Sequence, residues 1–334
     1  MNTTYPPNLC LSLLSPTKGK AYSAKAVRTL WNGSRVSPIL PFAREEYAAF
    51  RRESANRISI SGVQEKISVE LDKGVLVPTT QGGDYILKPI PRALADTLEL
   101  VEDVPANEHV TMQIAAQVFG LNTAPNGLVF FQNGEPAYIV RRFDRDQKGE
   151  RKLLQEDFCQ LAGRTRQTHG ENYKYSGSYE ELGRLLKQYC PAHRIEIEKL
   201  FLQILFNYLC GNGDAHLKNF SLLESPFGDH LLSPCYDLLC TSLHLPNESR
   251  TALELFEDFE TESFQQNGFY KLADFLELAR RYEMLPLRAE AILKRFRNGV
   301  PAVEELIQRS LMSEKAKERY LALMTDRLVA LKDP

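Results

Sequence analysis

Apolar and polar positions divide the chain near residue 145 into a half of short alternating segments and a half of longer helical ones. In the first half Ile67, Val69 and Leu71 alternate with polar residues. Asp72-Lys73-Gly74 then supplies a turn and Val75 to Val77 continues, which predicts a hairpin. Tyr85-Ile86-Leu87-Lys88-Pro89 predicts another strand, ended by its proline. From Pro105, a good first-turn residue, Val110, Ile114 and Val118 recur every four positions until Gly120, predicting one amphipathic helix with the glycine as its C-cap. Leu128 to Phe131 and Ala137 to Val140 flank Asn133-Gly134, a pair that predicts a second hairpin.

After the charged segment RRFDRDQKGERK the period becomes helical. Ser178-x-x-Glu181 reads as a capping box opening a helix over Tyr179 to Tyr189. Ile195 to Cys210 is apolar on nearly every face in its second half, which predicts a helix at the centre of a domain. Further helices are predicted at Lys271 to Arg281, Leu287 to Arg297, Val303 to Leu311 and from Lys315 to near the end. The expected fold class is α+β, with a sheet-rich part over residues 1–145 and a helical part over 146–334.

Composition narrows the function classes. With 334 residues, 43% hydrophobic and 25% charged, the chain can bury a good core, and a formal charge of -2 argues against gripping nucleic acid unaided. DNA would be reached only through a partner or a local patch. The opening MNTTYPPNLCLSLLSP lacks a basic lead, and no later stretch offers eighteen uninterrupted apolar residues, so the expectation is a cytoplasmic protein without membrane contact. Six cysteines without a CxxC pair predict reduced core thiols.

The chemistry centres on NGDAHLKNF, Asn212 to Phe220. Phe220 to Leu223 reads as a strand, Ser225 to Gly228 as a turn and His230 to Leu232 as the return, which should carry Asp237 back beside Asn219. An amide oxygen and a carboxylate brought together suit Mg²⁺, which accepts one or two protein oxygens alongside nucleotide phosphates. Asp214, five residues before the asparagine, would face a substrate hydroxyl, as in phosphoryl transferases. Such enzymes also need a strand lysine, a helix carboxylate and a phosphate-covering loop. Lys88, Glu108 and Ser59 to Lys66 occur in that order. Each has an ordinary reading as a solvated charge or a turn residue, and His216 is more often structural than a ligand. Asp-x-His also opens two-metal phosphoesterase sites, but their later Gly-Asp and Asn-His motifs do not follow. A degraded kinase kept as an interaction module or co-repressor is the other alternative.

SISGVQEKISV, YILKP, PANEHVTM, IVRRFDR, LQEDFCQLAGR, NGDAHLKNFSLL and SPCYDLL together resemble the HipA family of bacterial serine/threonine kinase toxins, between residues 55 and 250. The resemblance implies a bilobal protein-kinase-like fold with a small sheet-rich N-lobe and a larger helical C-lobe. Longer family members carry an extra N-terminal subdomain, for which this chain has too little sequence before the sheet, and residues 1–50 are expected to extend the small lobe. It implies ATP and Mg²⁺, with Asp214 as catalytic base, Asn219 and Asp237 as metal ligands, and Lys88, held by Glu108, on the phosphates. Ser61, Gly62, Val63, Gln64 and Glu65 would cover the phosphates, and the backbone of Arg141, Arg142 and Phe143 would be the hinge that meets adenine. His216, Lys218, Asn219 and Tyr236 would complete the nucleotide site. Ser59 and Ser61 would be autophosphorylated, silencing the enzyme by charge repulsion. The short chain and Ser-x-Ser loop resemble the HipT kinases of three-component modules. That likeness implies a HipS-like small protein and a HipB-like helix-turn-helix antitoxin as partners. The implied substrate is an aminoacyl-tRNA synthetase, the tryptophanyl enzyme favoured over the glutamyl one, so that translation stops.

Overall fold

A computed structural model describes residues 5–46, 66–79, 82–145 and 151–332. Five antiparallel strands, β1 (Ile67–Asp72), β2 (Val75–Pro78), β3 (Tyr85–Pro89), β4 (Asn126–Phe130) and β5 (Pro136–Arg141), form one sheet in the order β2-β1-β3-β5-β4. The first hairpin is the one the alternation predicts. Asp72 pairs with Val75, and Lys73 and Gly74 between them take φ of 48° and 85°, the left-handed pair that matches strand twist. A Cβ on Gly74 would also stand 2.9 Å from the Arg35 carbonyl oxygen.

Alternation along β3 sets the two faces of the sheet. Leu87 enters an outer core with Val69, Ile139, Leu30, Trp31 and Leu40, so part of residues 5–46 covers that face. Trp31 is the centre of this layer, its ring 5.2 Å from both Tyr22 and Tyr85. Lys88 faces the opposite way, toward the Val104–Gln117 helix, which packs Val110 and Ile114 against Leu128 and Tyr138. That helix has Pro105 in its first turn as expected, but its C-cap is Val118; Gly120, two residues on, carries the left-handed turn instead.

The second half is helical around a three-stranded antiparallel sheet, β6 (Gln155–Asp157), β7 (Ser221–Glu224) and β8 (His230–Leu232). The Tyr179–Tyr189 helix begins as predicted, Ser178 Oγ accepting from the Glu181 N–H at 3.0 Å. The expected return bond is replaced: the Glu181 carboxylate takes both Arg164 nitrogens, at 2.6 and 3.0 Å. The His193–Cys210 helix starts two residues earlier than predicted and is buried from Leu200 to Cys210, packed by the Glu314–Ala330 helix and the core around it. Leu272–Arg281, Pro286–Asn298 and Val300–Arg309 complete the predicted set. All six cysteines are buried and unpaired.

Candidate active site

A cleft of about 1140 Å³ runs between the five-stranded sheet and the helical half. Lys88, Glu108, Asp214, Asn219, Tyr236 and Asp237 all line it, which joins residues as far apart as 149 positions. The chain reaches it by a sharp exit from the buried His193–Cys210 helix. Gly211 takes φ 75° and its N–H caps the helix on the carbonyls of Asn207 and Tyr208. Asn212 then fixes the loop: its amide donates to Asn207 Oδ1 at 2.8 Å and to the Asp237 carbonyl at 3.4 Å, and its Oδ1 accepts from the Asp214 N–H at 3.2 Å. Tyr179 supports the loop from below, donating its hydroxyl to the Ala215 carbonyl at 3.0 Å.

Lys88 Nζ lies 2.6 Å from Glu108 Oε1 and 2.5 Å from Asp237 Oδ1. Burial lowers an ammonium's pKa, but the two carboxylates outweigh it and hold Lys88 charged, well above its ordinary range. Burial is the larger influence on Glu108, pushing its carboxyl up to about 7 despite Lys88. At Asp237 the partial loss of solvent inside the cleft is outweighed by Lys88 and Lys66, so the carboxyl falls below its usual value. Asp237 keeps 43% of its side chain exposed in the cleft and carries φ 53°, a conformation sparsely used outside glycine, asparagine and aspartate. The predicted β7–β8 hairpin returns the chain as expected, with Tyr236 anchored to the Lys218 carbonyl at 2.8 Å.

Three buried polar atoms in the cleft have no hydrogen-bond partner: Asn219 Oδ1, Glu108 Oε2 and His216 Nδ1. An orphaned amide oxygen on a residue that lines a cleft is a binding feature, since desolvating it without a partner is costly. Desolvation lowers the His216 pKa to about 4, so the imidazole stays neutral beside Asp214 Oδ1, 4.0 Å away.

The hinge residues divide. The Arg141 side chain turns away to the Thr29 carbonyl at 3.3 Å, and the Arg141 and Arg142 N–H groups are already bonded to Pro125 and Asp84 carbonyls at 2.8 Å each. Of the three, Arg142 lines the cleft, and the Phe143 ring lies 5.5 Å from that of Tyr236, which lines it too. Ser59, Ser61, Gly62, Val63, Gln64 and Glu65 lie outside the described residues. Sequence reasoning missed three features of the cleft: Asn212; Asp144, which pairs with Arg142 at 2.8 and 2.5 Å; and Tyr175, whose hydroxyl donates to Asp214 Oδ1. Asn212 is the first residue of the NGDAHLKNF motif, but it was given no role of its own. Tyr175 sits 39 residues upstream in a short turn, where no periodicity marks it.

Residues 58–304 match the family described as the HipA-like C-terminal domain. The chain belongs to this family. Among the relatives, a protein of Haemophilus influenzae named only as a candidate kinase is 29% identical over 333 residues, covering 94% of this chain and 90% of that one. The serine/threonine-protein kinase toxin HipA of Shewanella oneidensis is 28% identical over 237 residues, which span 66% of this chain and only 51% of the toxin. Two solved structures share the fold. Shewanella oneidensis HipA, solved with HipB and its operator DNA, superposes with a TM-score of 0.62 at 23% identity, over 87% of this chain and 70% of that one. The Helicobacter pylori proinflammatory kinase CtkA gives 0.52 at 16%, over 82% and 92%. The expected α+β kinase-like fold is therefore the observed one.

Proposed function

We propose that this HipA-like chain is a serine/threonine protein kinase, transferring the γ-phosphoryl group of ATP to a hydroxyl of another protein. The observation that carries this reading is Lys88, held at once by Glu108 and Asp237 in the cleft that Asp214 and Asn219 also line. A charged, buried lysine so positioned can neutralise nucleotide phosphates, and Asp214 can accept the proton of the attacking hydroxyl. The donor set fits Mg²⁺: Asn219 Oδ1 is orphaned and Asp237 has an exposed carboxylate, few protein oxygens being what this ion accepts. When bound there, Mg²⁺ would neutralise charge on the phosphate oxygens.

The finer reading rests on the resemblance. An aminoacyl-tRNA synthetase is the proposed acceptor, the tryptophanyl enzyme ahead of the glutamyl one, and phosphate on Ser59 or Ser61 is the proposed off-switch. A HipB-like antitoxin and a HipS-like small protein are the proposed partners. The first is supported by the Shewanella oneidensis HipA structure, solved with HipB and operator DNA, and a chain of net charge -2 would reach DNA through such a protein.

The test is transfer of label from γ-labelled ATP with Mg²⁺ into protein of a bacterial extract. Asp214→Asn is expected to lower transfer about 1000-fold while still binding a fluorescent ATP analogue. No transfer by wild-type protein that mass spectrometry shows to be unphosphorylated would sink the reading.

A further inference from the structure

We propose that Tyr175 is a gate, its hydroxyl standing on Asp214 in the place of the acceptor hydroxyl, and that the protein segment to be phosphorylated enters through a second cavity behind it. This rests on the kinase reading above. Tyr175 closes the Tyr173–Tyr175 turn and donates its hydroxyl to Asp214 Oδ1. An O–H aimed at the carboxylate base is the geometry an incoming serine must adopt before proton transfer, so the two hydroxyls exclude each other. The ring stands edge-on to neutral His216, with centroids 5.2 Å apart at 74°.

Tyr175 also occupies a junction. The second cavity, about 630 Å³, is walled by Arg164, Ser176, Ser249, Glu254, Glu257 and Tyr270. Among the described residues Tyr175 is the one side chain that lines both this cavity and the nucleotide cleft. It is 37% exposed, so swinging it aside uncovers no core. Its turn lies between Gly170 and Gly177, at φ 71° and 153°, where the backbone has freedom that other residues lack. The polar walls suit an extended protein segment bearing serine or threonine. With Tyr175 displaced, the serine oxygen bonds to the γ-phosphorus as the bond to the β,γ-bridging oxygen breaks. ADP leaves, and the serine proton passes to Asp214.

Tyr175→Phe keeps the ring and removes the donor. Release of ADP from Mg-ATP without any protein acceptor is expected to rise about ten-fold as water gains the vacated carboxylate oxygen, since hydrogen bonds to charged groups are of that strength. Adding Asp214→Asn should remove the gain. Ser176→Trp, filling the second cavity from its rim, should lower label transfer into extract protein about ten-fold or more, with a melting temperature close to wild type. Wild-type turnover that Tyr175→Phe leaves unchanged or lowers overturns the gate and leaves the kinase reading standing. Phosphate found on Tyr175 itself does the same, by making it an acceptor. Undiminished transfer by Ser176→Trp overturns the route through the second cavity. Absence of ATP turnover by wild type and variants alike overturns gate and kinase reading together.

Discussion

Glu108 and Lys88 expose only 2% and 7% of their side chains, so each charge is tolerable where it stands because of the other. Lys88→Met should therefore destabilise the protein by about 3 kcal/mol at pH 8.5, where Glu108 must either stay ionised without its partner or take up a proton from alkaline solution. Burial already draws the Glu108 carboxyl up to about 7, so a proton can relieve it and the penalty should shrink toward pH 6. Adding Glu108→Gln should restore most of the stability but not nucleotide binding. Urea unfolding at the two pH values, beside a binding titration, checks this. Equal destabilisation at both pH values would contradict it. At this scale the sequence was informative where order carried the signal: Lys88, Glu108, Asp214, Asn219 and Asp237, which line one cleft, could be singled out together because weak features fall in one order, loop, lysine, helix acid, catalytic loop and metal aspartate. Tyr175 was not, because its role comes from a tertiary contact that leaves no local trace.

Elements matter here chiefly by where they stop. The His193–Cys210 helix ends on a left-handed glycine, and everything from Asn212 to Asn219 is aimed from that exit. Gly211→Ala would strain φ 75° and set a Cβ 3.2 Å from Cys240 Sγ, with an expected cost of about 1–2 kcal/mol. Phosphoryl transfer should fall by more than this loss of stability explains, because the loop is displaced with its cap. Chemical denaturation and a transfer assay on the same variant separate the two effects. The hairpins were legible from their turn residues, and β3 from its terminal proline, since these signals are local. The cap at Val118 and the diversion of Glu181 to Arg164 were not, because both are decided by neighbours distant in sequence.

For the whole molecule, buried histidines set the response to acid. His109 is fully buried, its Nε2 2.8 Å from the Ser12 carbonyl, and desolvation lowers its pKa from 6.5 to about 4. The unfolded chain therefore takes up a proton in this window that the folded chain refuses. The stabilising contribution is complete above about pH 6.5 and is lost as pH falls toward 4. Glu108 acts in the opposite sense, its raised carboxyl favouring the folded state less as pH rises through 7. His109→Gln should isolate the first effect: its loss of stability between pH 7 and 5 should be smaller than the wild type's by about 2 kcal/mol, measured by urea unfolding. An unchanged slope would show that His109 is not the titrating group. The burial of all six cysteines has a practical side. Phe227, at the tip of the β7–β8 hairpin, is 94% exposed. A cysteine placed there would be the most accessible sulfur on the described surface, so a fluorophore or spin label could mark the helical half at that hairpin with every native thiol left in place.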